Sequence, residues 1–235
     1  MHAVILAGGK GTRLRPYTTV LPKPLMPIGD MPVLEVVLRQ LRQCGFTRVT
    51  LAVSYLAELI EAYCGDGSRF GLDLRFSREE TELSTAGPLK LIRDLDATFL
   101  TMNGDILTTL DYQALVAHHR REGAAATIAV HRRTVQIDYG VIETDREGTL
   151  EHYIEKPEYH YRVSMGINVF EPSVVDHIQD GERLSIPDLM LRLKAAGRKV
   201  TTFEAEGLWL DIGRPEDHEK AVEIFESMRT TLLGE

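Results

Sequence analysis

His2-Ala3-Val4-Ile5-Leu6 runs without a break into Ala7-Gly8-Gly9-Lys10-Gly11-Thr12-Arg13-Leu14-Arg15-Pro16, and Leu21-Pro22-Lys23-Pro24-Leu25 follows shortly after. A short apolar run ending in a glycine-rich, cation-rich loop reads as a buried strand that delivers the chain to an anion. Glycine lets the backbone approach a ligand closely and take positive φ, and successive N–H groups form an anion-binding concavity. Lys10, Arg13, Arg15 and Lys23 fall within 14 residues of one another. The loop is therefore expected to handle phosphate; the plainer alternative is an ordinary strand–helix loop carrying surface cations. It matches neither of two familiar phosphate motifs. The Walker pattern needs Ser or Thr after the lysine, where Gly11 stands, and the dinucleotide fingerprint needs a small residue where Leu14 stands.

Outward from this loop, strand and helix patterns alternate. Strands are expected at 3–6, 48–53, 72–76, 97–102 and 125–130, with helices at 33–44, 57–63, 88–93 and 111–122. In the first of these helices Leu34, Val37, Leu38 and Leu41 share one face, and Gly45 closes it. Strands separated by helices imply a parallel sheet with right-handed crossovers. Such an open sheet holds its ligand at the carboxyl ends of its strands, where the glycine loop, Asn103-Gly104-Asp105 and the segment after Phe76 all fall. The second half is richer in strands, at 140–143, 149–155, 163–170, 199–205 and 207–210, with helices at 186–196 and 215–228. No linker, repeat or low-complexity tract interrupts the chain, so one domain is expected over 1–235, in two halves of about 1–135 and 136–235.

With 235 residues, 43% of them hydrophobic and 26% charged, the composition is that of an ordinary globular protein with a substantial core. No apolar run approaches 18 residues, so no membrane-spanning helix is expected. The apolar stretch at 3–7 is too short for a signal peptide. Cys44 and Cys64 lack metal-ligand spacing and read as partly buried thiols in a reducing compartment, which points to the cytoplasm. A net charge of −8 argues against a nucleic-acid-binding surface. His118 and His119 are expected on the exposed end of a helix, and no histidine joins the expected chemistry.

The run Gly8-Gly9-x-Gly11-Thr12-Arg13-Leu14-x-Pro16, with Pro22-Lys23-Pro24-Leu25 after it, resembles the signature of the sugar-1-phosphate nucleotidylyltransferases. The resemblance extends from Met1 to about Lys220, and in motif it is closest to the mannose- and heptose-1-phosphate guanylyltransferases. It implies an α/β fold: a Rossmann-like open, mostly parallel mixed sheet flanked by helices, glycosyltransferase-A-like. The family often carries a C-terminal hexapeptide β-helix, and none is expected here. The first half becomes a nucleotide half and the second a sugar half. The implied reaction is Mg²⁺-dependent transfer of a nucleotidyl group from a nucleoside triphosphate to a sugar 1-phosphate, releasing pyrophosphate.

The resemblance also assigns residues. Asp105 and Asp211, each at a strand-to-turn junction, would hold Mg²⁺, which takes few protein ligands beside substrate phosphates and water. Each aspartate by itself reads equally as a turn or capping carboxylate. Arg13 and Lys23 would contact the triphosphate around the attacked phosphorus and, with Asp105, form the catalytic set. Leu6, Ala7, Gly8, Gly9, Gly11, Thr12, Asn103 and Gly104 would surround the nucleotide. Lys156 would grip the sugar's phosphate and Glu155 its hydroxyls, with Tyr139, Gly140 and Asn168 completing the sugar wall.

The base would be read by the segment from Glu79 through Leu83-Ser84-Thr85-Ala86-Gly87, in which Ser84 replaces the family's first glycine. A carboxylate only accepts hydrogen bonds, and guanine presents adjacent N1–H and N2–H donors, so Glu79 favours GTP. The alternative is that Glu79, Glu80 and Glu82 form a solvated acidic loop. Thymidylyl, uridylyl or cytidylyl transfer to another hexose 1-phosphate stays open. So do a catalytically silent homologue that binds a nucleotide sugar and, through Tyr153, Tyr159 and Tyr161, a choline-phosphate-like acceptor. Family members are often dimers or tetramers, and the sequence does not choose between assemblies.

Overall fold

A seven-stranded sheet organises the computed structural model, which describes residues 1–234. The strands and helices in chain order are β1 (His2–Leu6), β2 (Pro27–Ile28), β3 (Met31–Pro32), α1 (Val33–Gln43), β4 (Arg48–Val53), α2 (Ala57–Cys64), β5 (Asp73–Arg78), β6 (Phe99–Asn103), β7 (Ile106–Thr108) and α3 (Tyr112–Glu122). There follow β8 (Ala126–Gln136), β9 (Val141–Thr144), β10 (Leu150–Ile154), β11 (Glu158–Phe170), α4 (Ile186–Ala195), β12 (Val200–Ala205), β13 (Trp209–Asp211) and α5 (Pro215–Leu233). The large sheet has the order β12-β8-β11-β6-β1-β4-β5. Its neighbours run parallel except that β11 opposes both β6 and β8. The fold is therefore the mixed, mostly parallel α/β sheet that the sequence implied.

The chain leaves β1 for β4 and β5 on one side, then returns to β6 on the other. That reversal makes the carboxyl ends of β1 and β6 a topological switch point, where open α/β sheets bind ligands. The register fixes what lies there: Leu6 stands opposite Ala52 on β4 and Asn103 on β6.

The alternation of side chains along a strand divides the interior into two layers. Ala3 and Ile5 join a cluster with Leu34, Val37, Leu38 and Leu41 of α1, Leu115 of α3 and Phe225 of α5. Val4 joins the opposite cluster with Phe99, Phe170 and the α4 residues Leu189 and Leu193. The four α1 residues expected to share a face are all fully buried, and Gly45, at φ 79°, follows the helix end.

Several expectations are corrected. The segment expected as a helix at 88–93 is a 3-10 turn over Gly87–Leu91, because the stretch is too short to propagate an α-helix. The strands expected at 125–130 and 163–170 are much longer. β8 and β11 continue past the sheet as a two-stranded arm, paired from Ser164↔Val130 out to Glu158↔Gln136. Both faces of the arm are largely exposed, so no apolar alternation marks it in the sequence. α5 runs to Leu233 rather than 228, ending on the buried Leu232 and Leu233. His119 is not on an exposed helix end: it is fully buried. The face of α3 that carries it packs on the sheet, with Nδ1 at 2.8 Å from Thr127 Oγ1 and Nε2 at 3.1 Å from Glu171 Oε1. His118 is half-buried, edge-on to Phe203. Cys44 is half-buried and Cys64 buried, and burial pushes the Cys64 thiol up to about 12. Among the described residues no helix is long and apolar enough to cross a membrane.

Candidate active site

The glycine loop is anchored from below. Leu14 is fully buried, which explains a large apolar residue where a dinucleotide loop would place a small one. Gly11 takes φ 59° at the entrance to a 3-10 turn over Thr12–Leu14, and its carbonyl accepts from Thr18 Oγ1 at 2.8 Å. Ala7 N donates to Ala52 O at 2.8 Å and Gly104 N to Leu6 O at 3.0 Å, tying the loop to both neighbouring strands. A Cβ on Gly104 would lie 3.2 Å from both Ile5 Cγ2 and Pro24 Cγ. Glycine there lets the 103–105 turn seat against the strand and the Pro22-Lys23-Pro24 segment.

These elements enclose a cleft of about 650 Å³. Every residue expected to surround the nucleotide lines it: Leu6, Ala7, Gly8, Gly9, Gly11, Thr12, Arg13, Lys23, Glu79, Ser84, Thr85, Asn103 and Gly104, together with Asp105. Residues from four separate stretches of sequence thus meet at the switch point.

The two aspartates are joined by a strand pairing too short to show in the sequence. β7 follows Asp105 directly and pairs antiparallel with β13, so Asp211 stands opposite Ile106. Ile212 N donates to Asp105 O at 3.1 Å. Trp209, two residues before Asp211, steadies this ribbon by donating from Nε1 to Met165 O at 3.0 Å. The chain's single tryptophan beside an aspartate was the available signal for that role.

Lys23 sits in a 3-10 turn over Lys23–Leu25, with Pro22 at its N-cap and Pro24 and Leu25 buried. Its Nζ pairs with Asp105 Oδ2 and lies 3.6 Å from Asp211 Oδ1. Burial lowers the Lys23 pKa and the Arg13 charge adds to that, while Asp211 opposes it. Arg13 reaches the same place: a Cβ on Gly213 would lie 3.3 Å from its Nη2. Arg13, Lys23, Asp105 and Asp211 therefore form one cluster. Among the described residues no group of three or more His, Cys, Asp or Glu side chains could hold a metal ion. Two carboxylates converging on one ammonium do form a small, hard-oxygen donor set. That set suits Mg²⁺, which completes its shell with water and phosphate oxygens.

Glu79 follows β5, and its amide donates to Val53 O at 3.1 Å. Its Oε2 accepts from Leu83 N at 2.9 Å. A Cβ on Gly8 would lie 2.5 Å from its Oε1. Burial raises the Glu79 pKa above the ordinary glutamate value, with the Leu83 N–H opposing and Glu82 adding. The solvated-loop alternative fits Glu80 and Glu82, which are exposed, Glu82 pairing with Arg183 at 3.1 Å; it does not fit Glu79. Ser84 takes φ 65°, a left-handed conformation uncommon for residues other than glycine, at the position where the family pattern has glycine. Thr85 Oγ1 accepts from Ile186 N at 2.8 Å, holding the start of α4.

The expected sugar-side residues lie elsewhere. Tyr139 is 79% exposed, and Glu155 and Lys156 are exposed at the turn after β10, Lys156 at φ 47°. Gly140 lies beneath the Tyr153 ring, whose hydroxyl would be 2.7 Å from a Cβ there. These four belong to the far end of the β8–β11 arm and its β9–β10 hairpin, outside the lining of the cleft. Asn168 is only 3% exposed. The register places it opposite Thr101, two residues short of the strand end at Asn103. Its Nδ2 faces Thr101 Oγ1 at 3.5 Å, so it lies beneath the floor instead of on the wall. Gly166, two residues earlier at φ 72°, is the residue packed against the Asn103 amide.

The sequence profile of the nucleotidyl transferase family matches residues 2–227. The chain is 38% identical over 242 residues to a UTP–glucose-1-phosphate uridylyltransferase from Synechocystis sp., covering 94% of this chain and 62% of that protein. It is 36% identical over 223 residues to a mannose-1-phosphate guanylyltransferase catalytic subunit beta from Drosophila pseudoobscura pseudoobscura, covering 92% and 60% respectively. The chain thus spans 60–62% of the length of these relatives. Among solved structures, a Bacillus anthracis protein in complex with sucrose shares the fold at TM-score 0.76 and 23% identity, covering 95% of this chain and 94% of that one. HddC from Yersinia pseudotuberculosis superimposes at TM-score 0.72 with 25% identity, covering 95% and 99%.

Proposed function

The chain belongs to the nucleotidyl transferase family, and we propose that it transfers a nucleotidyl group from a nucleoside triphosphate to a sugar 1-phosphate, releasing pyrophosphate. The observation that carries this reading is the convergence of the glycine loop, Arg13, Lys23, Asp105 and Asp211 at the switch point of the sheet.

In this reaction an oxygen of the sugar phosphate attacks the α-phosphorus in line. The new P–O bond forms as the bond to the β-phosphate bridging oxygen breaks, and pyrophosphate leaves with the electron pair. No side-chain nucleophile is needed, so catalysis is positioning plus neutralisation of charge. The amides of the glycine loop and the Arg13 guanidinium hold the triphosphate, and Lys23 supplies its ammonium beside the attacked phosphorus. Asp105 and Asp211 would hold Mg²⁺, which when bound supplies charge neutralisation and orientation of phosphate oxygens. Lys156 and Glu155 engage the sugar's phosphate and hydroxyls from the arm, with Tyr139 and Gly140 beside them. The two halves act as a single domain on one pair of substrates.

Guanine is the favoured base. Support comes from the Glu79 carboxylate, drawn out of solvent against Gly8 with Oε1 turned to the cleft wall. HddC, a fold neighbour, has also been solved with GMP-PN. A mannose- or heptose-type 1-phosphate is the favoured acceptor. Uridylyl transfer is the second reading, favoured by the Synechocystis relative. A silent homologue is disfavoured because Arg13, Lys23, Asp105 and Asp211 are all present.

The test is pyrophosphate release with Mg²⁺, crossing ATP, GTP, CTP, UTP and dTTP with mannose, glucose, galactose, glucosamine and heptose 1-phosphates. A GTP signal is expected. A UTP or dTTP preference keeps the reaction and overturns the Glu79 assignment, and no release with any pair overturns the reaction.

A further inference from the structure

We propose that the Lys23 ammonium and a divalent cation compete for one pair of carboxylates, so that Lys23 holds the free enzyme back from loading metal ahead of nucleotide. The inference rests on the nucleotidyl-transfer reading and concerns the regulation of that same site.

Lys23 Nζ pairs with Asp105 Oδ2 and lies 3.6 Å from Asp211 Oδ1. Both members of the closer pair are largely removed from water, their side chains being 15% and 12% exposed. The carboxylates are not positioned by Lys23. The β7–β13 register and the Ile212 N–H to Asp105 carbonyl bond set their spacing through the backbone. The pair therefore has little freedom to spread and admit two cations at once. An ammonium is a compact point charge with three donors and no acceptor. A divalent ion needs direct oxygen ligands, and it would meet the ammonium as a like charge on the same oxygens. One of the two must leave.

The fold provides a destination for Lys23. Its stem starts beside the phosphate loop, where a Cβ on Gly11 would lie 3.3 Å from Lys23 Cβ. The turn between Pro22 and Pro24 holds the backbone, so rotation about the side-chain bonds carries Nζ from the carboxylates toward anions held by the loop amides. Triphosphate in the loop offers Lys23 a new partner and leaves Asp105 and Asp211 to the metal. Nucleotide and metal are then positively coupled through one side chain, and the coupling acts in both directions.

The test is Mn²⁺ binding to the protein without nucleotide, reading free Mn²⁺ by electron paramagnetic resonance, so no turnover is involved. Lys23→Gln is expected to bind Mn²⁺ about tenfold more tightly than the wild type. Lys23→Arg, which keeps the charge, is expected to stay as weak as the wild type. Arg13→Gln removes a neighbouring cation that does not touch the carboxylates, and it is expected to gain much less. Equal affinity of Lys23→Gln and wild type overturns the proposal, as does an equal gain in Arg13→Gln, which would mark a general charge effect. If Asp105→Asn and Asp211→Asn leave Mn²⁺ binding unchanged in every background, the metal assignment itself fails. A measurement on the wild type is independent of whether the variants fold. The NMR signal of the Lys23 methylene next to Nζ is expected to move on Mg²⁺ saturation, and an unmoved signal contradicts displacement.

Discussion

Gly8 and Glu79 constrain each other by distance. A methyl group at Gly8 would meet Glu79 Oε1 at 2.5 Å, so Gly8→Ala is expected to displace the carboxylate. It should raise the KM for nucleotide by about tenfold or more, with the sugar 1-phosphate KM little changed; steady-state kinetics with each substrate varied checks this. Because burial raises the Glu79 pKa, its ionised form is lost on acidification at a higher pH than for an ordinary glutamate. GTP affinity should therefore begin to fall at that higher pH in the wild type, and the step should be missing in Glu79→Gln. The same shift makes ionised Glu79 a liability to folding: its cost is absent at low pH and appears as pH rises through its native pKa. Glu79→Gln should accordingly raise Tm at neutral pH but not in acid. Ser84 holds φ 65°, and Ser84→Gly should stabilise the protein by about 1 kcal/mol by releasing that strain, measured by urea unfolding. The glycine loop, the paired prolines around Lys23 and the two aspartates were all legible as residue patterns. The burial of Asn168 was not, because a polar residue's depth depends on register across three strands.

Among the elements, the short β7–β13 ribbon does more for the site than its size suggests, since it brings Asp105 and Asp211 together. Leu107 at its centre is fully buried, so Leu107→Ala should cost about 2–5 kcal/mol in stability. Trp209→Phe should cost about 1 kcal/mol through the lost bond to Met165 O. Its kcat should fall by more than that loss implies, because the ribbon carries a proposed metal ligand; thermal unfolding and kinetics on one preparation separate the two effects. α1 was legible because four leucine and valine side chains at helical spacing fill a single face. β13 overlaps the strand expected at 207–210, but the three residues of β7 are too few to show a period, so the pairing of the two was not legible. The arm was missed for another reason: with both faces in solvent, it has no hydrophobic alternation to read.

At the scale of the molecule, a chain of net charge −8 sets Lys10, Arg13 and Lys23 in one cleft with Glu79, Glu80, Glu82 and Asp105, so any attraction for a triphosphate comes from the cations at the glycine-loop end and not from the charge of the cleft or surface as a whole. Nucleotide KM should rise with ionic strength as those charges are screened. The residues proposed for the sugar side stand on an exposed arm that adds little to either core cluster. Lys156→Ala is therefore expected to change stability by less than about 0.5 kcal/mol while raising the sugar 1-phosphate KM and leaving nucleotide KM unaltered. The open, mostly parallel sheet was legible in the alternation of strands and helices, whereas its strand order, with the antiparallel β11 between β6 and β8, and the separation of arm from cleft depended on long-range pairing. The central claim, transfer of the α-phosphorus at this cleft, is tested most directly by the fate of labelled nucleotide. With a sugar 1-phosphate as acceptor, label at the α-phosphorus should appear in a sugar nucleotide and label at the γ-phosphorus in pyrophosphate, and both should be lost in Asp105→Ala. Release of the γ-label as inorganic phosphate, or transfer that persists in Asp105→Ala, would contradict the account.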